Sequence, residues 1–140
     1  MQKSYNNVRD ILLQVSRTQI RKRENISLAL NIPGLGEITC AKIMRGVHGK
    51  RLVCYAYQEE KEFVVKIFFH QSRAEKHWSI SNFGLDLFNK QSILTPEICF
   101  SGYLQTENLY LILLKYLNDS LSFSEANMSH RAAYIRKIIS

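Results

Sequence analysis

Glu62-Phe63-Val64-Val65-Lys66-Ile67-Phe68-Phe69 is the stretch that decides the fold. Apart from Glu62 and one central lysine it is β-branched or aromatic, and so short a continuous apolar run predicts a strand buried on both faces. Period-two alternation puts Val64, Lys66 and Phe68 on one face and Phe63, Val65, Ile67 and Phe69 on the other. A lone buried ammonium is costly, so Lys66 has two outlets. Either it snorkels to a sheet edge and blunts aggregation there, or it points into a cleft that receives anions. Both outlets are open from this run alone.

Moving towards the N-terminus, Ile38 to Met44 and Arg51 to Tyr57 alternate as strands, and Gln58-Glu59-Glu60-Lys61 turns the second of them into the lysine strand. The result is a three-strand antiparallel meander. Its first turn, Arg45-Gly46-Val47-His48-Gly49-Lys50, is both glycine-bearing and basic. Glycines let backbone amides approach a phosphate, and adjacent cations supply the field. A hairpin needs glycine for positive φ whether or not it binds anything.

Moving the other way, residues 72–89 predict a helix. Ser72-Arg73-Ala74-Glu75 has capping-box spacing, and Trp78, Leu85 and Phe88, with Phe83 and Leu87 alongside, form an apolar stripe. Thr95-Pro96 ends the segment, and residues 98–104 and 109–117 are two more strands around Gln105-Thr106-Glu107-Asn108. The fold class is therefore α+β, a five-stranded antiparallel sheet with one packed helix. Ahead of it, Val8, Ile11, Leu12 and Val15 mark an amphipathic helix that runs into the basic stretch Arg17 to Glu24. Asn31-Ile32-Pro33-Gly34-Leu35-Gly36 breaks the chain, and the compact domain is expected to start there. After it, Ser122-Phe123-Ser124-Glu125 opens a C-terminal helix carrying Met128, Ala132, Ile135 and Ile139.

At 140 residues the chain suits one domain, large enough to fold without covalent staples. Cys40, Cys54 and Cys99 are widely spaced in apolar runs, which favours buried reduced thiols over bridges or a zinc site. The first residues hold no hydrophobic signal core, and no apolar run nears the ~20 residues of a membrane span, so a cytoplasmic setting is expected. Charge is uneven. Residues 1–52 hold ten Lys/Arg against Asp10, Glu24 and Glu37, a net of +7, while residues 53–140 hold nine of each sign. Such a front suits phosphate, an anionic membrane surface or nucleic acid.

The order of three strands, a helix and two strands, with a lysine centred in the third strand and a glycine turn between the first two, resembles the nucleotide-binding small lobe of protein-kinase-like folds. Val64-Val65-Lys66 is similar to the Val-Ala-Ile-Lys motif whose lysine grips the ATP phosphates. Arg73-Ala74, Trp78 and then Ile93-Leu94-Thr95-Pro96-Glu97 resemble, more narrowly, the bacterial lipopolysaccharide core kinases that act on Kdo and heptose. The resemblance implies residues 1–30 as a basic extension, 31–117 as the small lobe, and 118–140 as a linker into a second lobe. It implies ATP held by Lys66, Gly46, Gly49 and Val64, with Leu114 near the gatekeeper and Tyr116 in the hinge that meets adenine. Glu75 is the first choice of partner for Lys66, with Asp86 farther along, because His77 stands where the family's glutamate would align.

No His-x-Asp catalytic loop and no Asp-x-Gly metal motif occurs in the sequence. No catalytic residue is therefore assigned within this chain, and magnesium is expected only in a complete enzyme. The resemblance then implies the ATP-binding half of a kinase whose acceptor is a sugar of the lipopolysaccharide core, peripheral at the inner membrane and inactive as these 140 residues. The competing class is a non-catalytic binding module, either a degenerate lobe or a basic nucleic-acid binder. Nucleic acid is the less favoured partner, since Tyr5 is the only aromatic among the first 52 residues available to stack on bases.

Overall fold

The computed structural model describes residues 7–90 and 97–116, and the side chains among them except those of residues 86–90. It is an α+β fold built on a six-stranded antiparallel sheet of order β1-β2-β3-β4-β6-β5. The strands are β1 (Asn25–Ile32), β2 (Gly36–Val47), β3 (Arg51–Gln58), β4 (Lys61–Phe68), β5 (Ile98–Leu104) and β6 (Leu109–Lys115). The helices are α1 (Val8–Leu13), α2 (Arg17–Arg21) and α3 (Ala74–Lys90).

The lysine strand is not an edge. β4 pairs with β3 along one side, Lys66 opposite Val53, and with β6 along the other, Lys66 opposite Ile112. Its alternation sorts the two faces as the sequence implies. Phe63, Val65 and Ile67 join the larger core, which α1, α2 and the link between them close with Leu12, Ile20 and Val15 respectively. Val64 and Phe68 join a smaller core beneath α3, with Trp78, Leu85, Ile112 and Leu114. The sheet is thus the middle of three layers.

The sheet has six strands where five were expected. Ile26, Leu28, Leu30 and Ile32 alternate with polar or small residues, and burial alternates with them, so Asn25–Ile32 adds an outer strand to β2. The single N-terminal helix divides in two. Gln14 caps the end of α1, and Ser16 opens α2 with a capping box in which its side chain accepts from the Gln19 amide while the Gln19 side chain accepts from the Ser16 amide.

Helix α3 forms where the spacing places it, but its stripe is narrower than expected. Trp78 and Leu85 pack inward, whereas Phe83 is 62% exposed and Ile80 63%. The helix is fastened to β5 by a relay in which Trp78 Nε1 donates to Ser101 Oγ at 2.9 Å and Ser101 Oγ donates to Asn82 Oδ1 at 2.6 Å. The stripe residues Leu87 and Phe88, the Thr95-Pro96 turn and the C-terminal helix lie outside the described side chains or residues.

Candidate functional site

Lys66 is 3% exposed, on the sheet face that α3 covers. Its Nζ lies 5.8 Å from the centroid of the Phe68 ring, a cation–π distance. Burial, reinforced by the positive charges of Arg51 and Arg45, pulls its pKa down from 10.5 to about 8. The two arginines arrive from neighbouring strands: Arg45 pairs with Val53, which itself pairs with Lys66, and Arg51 pairs with Phe68. The central lysine therefore sits in a positive field that rises towards the β2–β3 end of the sheet.

That end is the more elaborate. Lys50 O accepts from the Phe69 amide at 3.0 Å, tying the turn to the exit of β4. His70 then accepts through Nδ1 from the amides of Ser72 and Arg73, at 3.2 and 3.1 Å, and so satisfies donors just ahead of α3. One turn into the helix, the His77 ring meets that of His70 edge-on at 5.7 Å between centroids. Its Nδ1 is buried and has no hydrogen-bond partner among the described residues. Burial, followed by Arg51, His70, Lys50 and Arg73, lowers the His77 pKa below its usual 6.5. From the opposite layer Arg9 donates to the carbonyls of Phe69 and His70, both at 3.4 Å.

The candidate residues divide among these places. Val64 and Leu114 pair in register and share the smaller core with Phe68, so both lie on the Lys66 face. Gly49 is in the turn with φ +75. Gly46 is not in the turn. It is a residue of β2, paired with Leu52, and a Cβ there would come 2.4 Å from Leu52 Cδ2 and 2.8 Å from Arg51 O. Its glycine is required by close packing against the larger core, not by a loop that cradles phosphate. Glu75 is exposed in the first turn of α3, and its charge acts on Tyr110. The side chain of Asp86 lies outside those described. His70 and Arg73, which complete the basic end, drew no notice in the sequence as ligands, and only their position immediately before the helix marks them.

Tyr116 is at the far end of the sheet. Its amide donates to Glu62 O at 3.1 Å, and its ring stands edge-on to Tyr55 at 5.7 Å. Tyr55 Oη donates to Glu62 Oε2 at 2.7 Å, and that bond pushes its phenol up to about 12. Tyr116 also lines a cleft of about 450 Å³ together with Leu35, Phe63, Cys99 and Lys115. Among the described residues no group of three or more His, Cys, Asp or Glu is placed to hold a metal ion. Nor is any helix among them long and apolar enough to cross a membrane. Compared with protein-family models, with curated proteins and with solved structures, the chain finds no match.

Proposed function

We propose that this chain is the ATP-binding small lobe of a kinase resembling the lipopolysaccharide core sugar kinases, an enzyme that moves phosphate from ATP to a sugar hydroxyl. The observation that carries this is a lysine 3% exposed in the middle of a central strand, under a helix and beside two arginines. An ammonium on this face, in the positive field of Arg51 and Arg45, suits the reception of a phosphate chain. Val64 and Leu114 beside it supply apolar walls, and Tyr116 at the strand end is the hinge position. The basic N-terminal part suits an anionic inner-membrane surface on which a lipid-anchored sugar is presented.

Phosphoryl transfer needs metal ligands and a hydroxyl-orienting aspartate, and the sequence carries neither motif. The chain should bind ATP weakly and transfer nothing. Thermal melting with and without ATP tests this: a small rise in Tm in the wild type, absent in Lys66→Met, with no phosphate appearing on lipopolysaccharide core sugars. Unchanged melting with ATP, combined with steeply salt-dependent binding of single-stranded DNA, favours the basic binding module instead.

A further inference from the structure

We propose that Lys50, Arg51, Arg73 and His77 form a binding site for an oligophosphate chain, where the β2–β3 turn meets the first turns of α3. It rests on the nucleotide reading in one respect, that the triphosphate of ATP is the natural occupant, and it assigns that occupant side-chain ligands beyond Lys66 and the turn glycines.

Three observations converge. Cations from separate elements are carried to one end of the sheet: Lys50 O accepts from the Phe69 amide, Arg51 pairs with Phe68, and the Arg73 amide is bound to His70, whose ring meets that of His77. The charges of Lys50, Arg51 and Arg73 accordingly act on His77. Among the described residues no carboxylate forms an ion pair with Lys50, Arg51 or Arg73, so this gathering of like charge is left uncompensated by the chain around it. The second observation is the His77 Nδ1, buried and without a hydrogen-bond partner among the described residues. A buried polar atom left unsatisfied is rare and costs about 1–3 kcal/mol, and a donor held at an anion's surface resolves it. The third is rigidity. Lys50 is fixed to Phe69 through its carbonyl, and the Arg73 amide is fixed by His70. The backbone that carries the cations is thus organised before any ligand arrives.

The two imidazoles have different roles. His70 accepts two amide hydrogens at Nδ1, which fixes its ring against the approach to α3. His77 has no such anchor. The groups facing it are Arg51 from the sheet, Lys50 from the turn, and His70 and Arg73 from the approach to α3, and together with burial all of them hold the proton off. An anion seated among them reverses the sign of the local field. Binding therefore takes up a proton at His77 and tightens as pH falls.

The test is calorimetric titration of the full chain with sodium tripolyphosphate, and separately with ATP, at pH 5.5 and 7.5, in the wild type and in three variants. Arg51→Met removes one charged partner, His77→Gln removes the titrating ring, and Lys50→Gln with Arg73→Gln changes only exposed side chains, so that folding is not at issue. Both ligands should bind the wild type, and Arg51→Met and the double variant should each lose about tenfold or more, the scale of a charge-assisted hydrogen bond. The His77 ring signals should move to higher pKa when tripolyphosphate is added. Tripolyphosphate that binds through these residues, with ATP no tighter, leaves the anion site standing and removes the nucleotide. ATP bound in a Lys66-dependent way but indifferent to Lys50, Arg51, Arg73 and His77 overturns the present inference and keeps the kinase reading. No binding of either ligand overturns both.

Discussion

The Nζ of Lys66 stands 5.8 Å from the centre of the Phe68 ring, two residues along the same face of β4. The ring face offsets part of the desolvation, but the balance still favours the neutral amine, as the fall of the pKa from 10.5 to about 8 records. Between those two pH values the unfolded chain binds more protons at this position than the folded one. Stability therefore rises with pH through the window from 8 to 10.5, and below it the folded state carries a penalty on the order of 3 kcal/mol. Cys54, raised well above 9.0, and Tyr55, raised to about 12, pull the other way as pH climbs, so the difference between two curves is what isolates the lysine. Urea denaturation of Lys66→Met against wild type should show the variant's advantage shrinking from pH 8 to 10.5; a constant difference would contradict the assigned shift.

Gly46 and Gly49 require glycine for different reasons, and substitution separates them. Gly49, with φ +75 and nothing within 4 Å of a Cβ, should tolerate asparagine, which visits the left-handed region readily, and should lose about 1–2 kcal/mol to alanine. Gly46 should tolerate neither, since any Cβ meets the Arg51 carbonyl at 2.8 Å, and an overpacking cost of about 1–3 kcal/mol is expected. Chemical denaturation of the four variants decides it, and equal tolerance of asparagine at both positions would show that Gly46 has room.

Strand β1 makes a direct prediction about its own alternation. Leu30 is fully buried while Asn31 points outward. Leu30→Ala should cost about 2–5 kcal/mol, and Asn31→Ala should fall within ~0.5 kcal/mol of wild type. Comparable small effects at both positions would remove β1 from the sheet.

The chain's one tryptophan reports on the docking of α3. Ser101→Ala strands both Trp78 Nε1 and the Asn82 oxygen, and a loss of about 1–3 kcal/mol is expected with a shift of the Trp78 emission. An unchanged spectrum and midpoint would mean that water replaces the hydroxyl at no cost.

How far the sequence led can be judged residue by residue. The two faces of β4 were legible because period-two alternation is a local property, and the same holds for the turn at residues 105–108. Local alternation also marks Ile26, Leu28, Leu30 and Ile32, yet the density of cations before them drew the reading towards a solvated extension and a strand was missed. The division of α1 from α2 depends on Ser16 and Gln19 bonding each other, a capping pattern short enough to pass unnoticed inside a longer apolar periodicity. Phe83 looked inward because an apolar residue at helical spacing normally is, whereas the face that α3 buries is set by Trp78 and Ser101. The role of Gly46 and the meeting of Lys50, Arg51, Arg73 and His77 follow from register and from helix docking. Neither is written in any local spacing.

The slot that β6 fills, between β4 and β5, sets the order in which the molecule can be made. Strands β1 to β4 can pair one after another as they leave the ribosome, but the outer side of β4 waits for Leu109–Lys115. At about 5–20 residues per second, the interval from Phe68 to Lys115 lasts a few seconds, during which Val64, Val65, Ile67 and Phe68 form an unpaired apolar margin. Lys66 lies in the middle of that margin. While the margin is open to water the ammonium is charged and hydrated, and it repels another nascent copy presenting the same edge. The residue that later sits buried beneath α3 thus first serves as the guard of an unfinished sheet.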